Sequence, residues 1–253
     1  MLMVHAFLRA VGPVQDGAEG VVVALEDAVG PHGTLVMNVG ARDDFDWVNA
    51  RPETERESLL RDSPAFDKDR TPADPDVGVL AEVFRRLPTT LVTDHPDGRF
   101  AARGHQAGRL LRPSLPWDGY YGPGSVLERL VRADGKILRL GADPDTVTLL
   151  HLAEYLVELS VKHRVLRHHK IRTADGSTVI RPVRCLDDTD GIADWAGEDC
   201  FAVILRDYLT RGRAAVGQVG DTRSELIEAA ELLDHGIRWM HENLASADAP
   251  ERT

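Results

Sequence analysis

Cysteine is scarce: Cys185 and Cys200 are the two in 253 residues, and they lack CxxC spacing. That excludes a disulfide framework and a cysteine-based structural zinc site, and it fits a reducing compartment. Basic residues are in deficit, with 30 Lys and Arg against 41 Asp and Glu, for a formal net charge of -11. Such a balance opposes binding to nucleic acid phosphates or anionic lipid and favours cationic partners, although it serves solubility equally well. No apolar run approaches the ~18 residues that a membrane-spanning helix needs. Met1-Leu-Met-Val4 runs into His5 without the basic and apolar segments of a signal peptide. The expectation is a cytoplasmic protein with neither membrane nor nucleic acid partner. The chain also lacks internal repeats, GxGxxG, the GxxxxGK[ST] loop, the GxSxG elbow, HExxH and HxH, which leaves dinucleotide binding, nucleotide hydrolysis, serine hydrolysis and a local metal site without support.

The chain does have 43% hydrophobic residues, enough to bury a substantial core. Short apolar runs at Leu2 to His5, Thr34 to Val39, Thr89 to Thr93 and Gly135 to Gly141 read as strands. Helical spacing occupies Glu19 to Val29, Val77 to Leu87, Val126 to Ala133 and about Val147 to Ser160. Ser125 is placed to cap the third of these helices. Arg164 to Thr173 and Thr178 to Leu186 form a hairpin across Ala174-Asp-Gly-Ser177, and helices over Glu198 to Arg211 and Ser224 to Leu244 close the chain. Gly40 to Asp76 shows little periodicity and reads as an irregular loop region on the substrate side. The alternation predicts an α/β fold with a mixed, partly parallel sheet flanked by helices, to which the late hairpin adds the antiparallel part. Residues 1–245 are expected to form one domain and residues 246–253 a disordered tail.

Chemistry in such folds gathers at strand ends. His151 lies about one turn inside the helix expected from Val147, where a helix N-terminus disfavours imidazolium and leaves a neutral base. A core histidine with a satisfied ring competes on spacing alone. Asp187-Asp-Thr-Asp190 at a strand end and Asp43-Asp44 beyond another strand offer acceptors for the imidazole or partners for substrate ammonium groups, and they serve equally as solvated loops. His95, held extended before Pro96, is a site histidine or part of a structural turn. Backbone N–H groups at Gly122 to Ser125 and at Phe7 to Gly12 can meet phosphate or pantetheine.

Several segments, in order and spacing, resemble the aminoglycoside N3-acetyltransferase family over about residues 2 to 244. They are Met3-Val-His-Ala-Phe-Leu-Arg-Ala-Val-Gly-Pro-Val14, Gly30-Pro-His-Gly-Thr-Leu-Val36, Asp94-His-Pro96, Tyr121-Gly-Pro-Gly-Ser125, Gly135-Lys-Ile-Leu-Arg-Leu-Gly-Ala142 and Asp145-Thr-Val-Thr-Leu-Leu-His-Leu-Ala-Glu154, followed by Gly217-Gln-Val-Gly220 and Leu226-Ile-Glu-Ala-Ala230. The resemblance implies an antibiotic acetyltransferase-like fold, unrelated to the acetyltransferase scaffold with a pyrophosphate loop. It implies acetyl-CoA as cosubstrate and acetylation of the 3-amino group on the deoxystreptamine ring of cationic aminoglycosides, hence antibiotic resistance; no metal is expected, because the sequence has no ligands at recognisable local spacing.

By position, His151 matches the family's catalytic base, with Asp187 or Asp188 orienting it. Asp43, Asp44, Glu154, His95 and Tyr121 fall on the substrate side. Phe7, Leu8, Arg9, Ala10, Ser125 and Val126 fall on the cofactor side. Two departures stand out: a helix of roughly two dozen residues that family members carry before the first strand is missing, and Phe7 stands where they commonly have serine. The rival expectations are a same-fold acetyltransferase for another small amine and a non-catalytic ligand-binding relative, as a monomer or a homodimer.

Overall fold

In a computed structural model of the chain, the described residues are 1–42, 46–112, 115–160, 162–187, 194–195 and 197–244. Asp43, Asp44, Asp188 and the 246–253 tail lie outside them. The strands are β1 (Leu2–Ala6), β2 (Thr34–Asn38), β3 (Leu91–Val92), β4 (Phe100–Gly104), β5 (Lys136–Leu140), β6 (Arg164–Arg172), β7 (Thr178–Leu186), β8 (Asp194–Trp195), β9 (Glu198–Asp199), β10 (Ala215–Val219) and β11 (Thr222–Glu228). The helices are α1 (Leu8–Val11), α2 (Gly17–Val29), α3 (Glu53–Asp62), α4 (Val79–Arg86), α5 (Ala107–Leu111), α6 (Val126–Arg132), α7 (Leu150–Leu156), α8 (Cys200–Thr210) and α9 (Ala229–Asn243).

Seven strands form the main sheet in the order β10-β11-β5-β1-β2-β4-β3. Its centre is parallel, because β1 runs alongside both β2 and β5. Both faces of this centre are covered, which is why its strands read as apolar runs rather than alternations. Met3, Val36 and Ile137 face a core shared with Leu127 of α6, Leu150 of α7, Ile204 of α8 and Leu232 of α9. Leu2, Val4, Leu35 and Met37 face the other side, against Val22 of α2 and Phe84 of α4.

The antiparallel part lies on the flanks of this sheet, where β11 pairs with β5 and β4 with β2. The β6–β7 hairpin, expected to supply it, forms a sheet of its own. Residues Ser224 to Glu228, read as the start of a helix, belong to β11. Their alternation lets Leu226 and Ile227 bury on opposite faces, while Glu225 meets Arg139 of β5 at 3.1 Å. The helix starts at Ala229. The turn before β11 needs Gly220, at φ +57°, since a Cβ there would stand 2.1 Å from the Val11 carbonyl oxygen.

Gly40 to Asp76 is also more ordered than predicted. It carries a 3-10 turn at Asp46–Ala50 and helix α3, whose polar sequence buries Leu60 and is braced by an Arg61–Glu57 pair at 2.7 Å. The Arg99 guanidinium organises this region from within. It is fully buried and donates to the carbonyls of Gly40 (2.9 Å), Pro72 (3.1 Å), Lys68 (2.7 Å) and Thr71 (2.8 Å), with its carbon 5.2 Å from the Phe66 ring centre. Burial and the nearby Arg85 lower its pKa to about 10, so the group stays charged at neutral pH. Replacing Arg99 by Met strands four carbonyls, each worth about 1 kcal/mol when left unpaired. A loss of about 3 kcal/mol or more is expected, seen as a fall of roughly 6–12 °C in the thermal midpoint. An unchanged midpoint refutes the clamp.

Candidate active site

His151 is the second residue of α7, not one turn inside it, because the segment from Thr146 to Leu149 forms tight turns instead of continuous helix. Thr146 N–H donates to Asp143 O (2.9 Å), Leu150 N–H to Val147 O (3.0 Å) and His151 N–H to Thr148 O (3.2 Å). The helix has seven residues. Its dipole is correspondingly short, and side chains must set the state of the imidazole.

They do so on three sides. Residues 151 and 154 share a helix face, so Glu154 Oε2 lies 2.7 Å from His151 Nδ1. The Tyr121 ring stacks on the imidazole at 4.8 Å between centres and 11° between planes. Phe201 of α8 meets it edge-on at 4.8 Å and 72°. The His151 side chain is 26% exposed and that of Glu154 only 7%, so the carboxylate is enclosed while the ring keeps an open edge. Lys162 Nζ closes the far end of α7 by donating to the carbonyls of Glu154 and Val157. The buried Cys200 thiol is pushed up to about 12, first by burial and then by the negative charges of Glu154 and Asp199, which leaves it protonated and unreactive.

The partner on Nδ1 is therefore Glu154, which the sequence places on the substrate side, and not Asp187. Asp187 stands at the end of β7, 3.6 Å from Arg167, with its side chain 39% exposed and its N–H donating to His163 O (2.8 Å). Tyr121 likewise moves from the substrate side to the back of the imidazole. His95 becomes a structural residue. Its Nδ1 accepts from the N–H groups of Asp97 (3.1 Å) and Gly98 (2.9 Å), its Nε2 donates to Trp117 O (2.9 Å), and its ring is buried. Asp97 in turn lies 3.1 Å from His169 of β6, which anchors the hairpin beside the site.

Ser125 and Val126 are buried as well. Ser125 Oγ donates to Tyr121 O (3.2 Å) and accepts from Glu128 N–H (3.4 Å), and Val126 lies in the core, so neither side chain offers a cofactor surface.

Phe7 stands elsewhere. It is 46% exposed and lines a cavity of about 260 Å³ at the ends of β1, β2 and β5, together with His5, Asn38, Gly78, Asp143 and Thr148. Helix α4 begins in that wall at Gly78, and no side chain caps its first N–H groups. Leu8, Arg9 and Ala10 form the single turn of α1 just behind Phe7, with Ala10 N–H donating to Phe7 O (2.9 Å). Thr148 belongs to the turn that carries His151, which brings cavity and dyad together. Sequence reasoning missed Phe201, His5 and the Gly78 end of α4; the Met3-Val-His5 run contained the signal for one of them. Among the described residues no three His, Cys, Asp or Glu side chains group to hold a metal, and no helix is long and apolar enough to cross a membrane.

A histidine held by a carboxylate on a mixed α/β sheet defines a protein equipped with a general base, and the comparisons with known proteins say to which class of chemistry it belongs. The family model described as aminoglycoside 3-N-acetyltransferase matches residues 3–241. Aminoglycoside N(3)-acetyltransferase VII of Streptomyces paromomycinus is 38% identical over 259 residues, covering 98% of this chain and 88% of the relative. The sisomicin-bound structure of AAC-VIa superposes with a TM-score of 0.87 at 38% identity, covering 97% of this chain and 92% of that one. The AAC-IIIb binary structure with CoASH gives 0.86 at 35% identity, covering 98% and 92%. The chain belongs to the aminoglycoside 3-N-acetyltransferase family, a family of acyltransferases.

Two buried histidines give the fold a pH dependence. His5 and His95 are both lowered from 6.5 to about 4, chiefly by burial, with Arg139 adding to the effect at His5. Between pH 6.5 and about 4 the unfolded chain binds protons at these positions that the folded chain refuses, so stability falls as pH falls. At 1.36 kcal/mol per unit, each site withdraws up to about 3 kcal/mol. Urea midpoints are expected to drop steeply from pH 7 to pH 4.5, with a shallower slope in a His95→Gln variant. Equal slopes in the two proteins refute this account of His95.

Proposed function

We propose that the protein transfers the acetyl group of acetyl-CoA to the 3-amino group of the deoxystreptamine ring of aminoglycosides, conferring resistance, and that residues 1–245 form one domain for this purpose. The observation that carries the reading is the His151–Glu154 dyad, whose imidazole keeps an open edge and whose backbone N–H bonds to Thr148, a residue of the cavity at the strand ends. Glu154 holds the Nδ1 proton, which leaves Nε2 as the base. Nε2 takes the proton as the substrate nitrogen forms its bond to the thioester carbonyl carbon. The carbonyl electron pair moves to oxygen and returns as the C–S bond breaks, and the proton then passes to the departing thiolate to give CoASH.

Glu154 compensates the imidazolium while it lasts, and the Tyr121 π-face lies against the same ring. The state of Cys200 supports direct transfer, since its thiol offers no nucleophile for an enzyme-bound acetyl group. The cavity suits the acyl-CoA arm, with Phe7 and the uncapped start of α4 at its rim. Relatives support both substrates: one is named for aminoglycoside acetylation, one was solved with sisomicin and one with CoASH. The net charge of -11 supports acidic partners for the ammonium groups of the polycation, and we assign that role to Asp43 and Asp44, with Asp187 and Asp188 as further acids of the sequence.

Thiol release from acetyl-CoA across a panel of aminoglycosides and simple amines tests the reading. Turnover of aminoglycosides above simple amines is expected, and the reverse order points to a different small-amine substrate. His151→Ala is expected to lower kcat by about 10²–10⁴-fold, the usual contribution of a positioned base. A fully active variant sinks the assignment. Glu154→Gln keeps the shape of the pair and removes its charge, so kcat should fall by ~10²-fold or more with the thermal midpoint little changed. If kcat holds and the midpoint collapses, Glu154 serves the fold and not the base.

A further inference from the structure

Four histidines are buried in the described structure outside the dyad, and three of them face a partner. His95 has its three hydrogen bonds, His169 faces Asp97 at 3.1 Å, and His235 faces Asp207 at 3.2 Å. His5 is different. Its side chain is buried on the central strand, and among the described residues no carboxylate faces it and its Nε2 has no hydrogen-bond partner. Its register neighbour across β1 and β5 is Arg139, a buried cation held by Glu225 (3.1 Å) and by the carbonyls of Ala142 (2.7 Å) and Asp143 (2.6 Å). That neighbour makes the place hostile to a second positive charge.

Nothing in packing requires polarity here. The strand reads Leu2-Met-Val-His-Ala6, and an apolar side chain at position 5 would end the cost of an unpaired buried ring. His5 also lines the cavity that contains Phe7, Asn38, Gly78 and Thr148. A neutral imidazole carries one donor and one acceptor. This pair of functions matches the carbonyl and amide groups of a pantetheine thioester. It is a poor match for phosphate, which seeks a cation, and Arg139 disfavours an ammonium.

We infer that His5 is a substrate-contacting residue, whose Nε2 the described residues leave unpaired so that the imidazole can hydrogen-bond the pantetheine or thioester segment of the acyl-CoA arm. The inference rests on reading that cavity as the acetyl-CoA site. It assigns the central strand a direct part in donor recognition, separate from the base and from the acidic loops.

The test uses the full-length protein and S-acetonyl-CoA, in which a methylene ketone replaces the thioester and no acyl group can be transferred. His5→Phe preserves ring shape and removes both nitrogens; His5→Gln restores a donor and an acceptor. Calorimetric affinity and thermal unfolding are measured for all three proteins. The expected result is a His5→Phe protein that unfolds at the same or a higher temperature yet binds the analogue about 10-fold more weakly or worse, with His5→Gln intermediate. In turnover, KM or kcat measured against acetyl-CoA should move, and the KM for an aminoglycoside at saturating acetyl-CoA should not.

Wild-type affinity in a folded His5→Phe protein overturns the inference, as does a variant that is destabilised but binds normally. Loss of aminoglycoside affinity alone assigns the ring to the acceptor and overturns it too. Should His5→Phe fail to fold, His5→Gln decides by the same affinity measurement, with wild-type-like binding in any folded His5→Ala control counting against the inference. Wild-type protein that does not bind S-acetonyl-CoA at all refutes the cavity reading itself, whereas binding without turnover of any aminoglycoside refutes only the proposed acceptor.

Discussion

Everything in the molecule depends on β1 being buried between two parallel partners. Parallel pairing aligns the ends of β1, β2 and β5 on one edge of the sheet, and the chain must leave all three strands in the same direction. Their exits, Phe7 with α1, the segment beyond Asn38, and the turns from Ala142 to Leu149, therefore converge around one cavity. The dyad is positioned by the last of these exits. Because both sheet faces are covered by helices, the strand ends are the place where this part of the fold leaves room for a ligand.

Burial then sorts the polar groups by use. Glu154 is enclosed and committed to His151; Arg99 is enclosed and committed to four carbonyls; His95 is enclosed and committed to the backbone around it. Each is a charged or polar group made tolerable by fixed partners, and each fixes the segment that supplies them. Asp187, by contrast, is half-buried beside Arg167 and still reaches solvent. The molecule thus separates a rigid layer that sets geometry from an outer layer that sets the field.

The strands of the parallel centre were legible because burial on both faces leaves short, glycine-bounded apolar runs. Their order was not, since pairing partners far apart in sequence leave no local trace. β4 went unread because Phe-Ala-Ala-Arg-Gly has neither a long run nor clear alternation, and β10 because all its residues are exposed. Helix α3 escaped because it is held by charge pairing more than by an apolar face. At the candidate site, His151 stood out in the sequence from its position after a strand. Glu154 was in view on the same helix, but its role depends on a side-chain distance of 2.7 Å that spacing only permits. Tyr121 and Phe201 meet the imidazole from distant segments, and such contacts are not displayed by a single sequence.

The separation of strand partners also governs how the chain reaches this structure. β1 occupies residues 2–6, while β5, which supplies its longer register, occupies residues 136–140, and β11, which covers β5 in turn, occupies residues 222–228. During synthesis the first strand waits for more than half of the chain before its second partner exists, and although the β2-β4-β3 flank is present by residue 104, the flank beyond β5 is not finished until β11 has been made. Loops of that span close slowly, and an apolar strand left without a neighbour is open to pairing with other chains. The same central placement that gathers the strand ends into one site makes the polypeptide dependent on protection while it is being made.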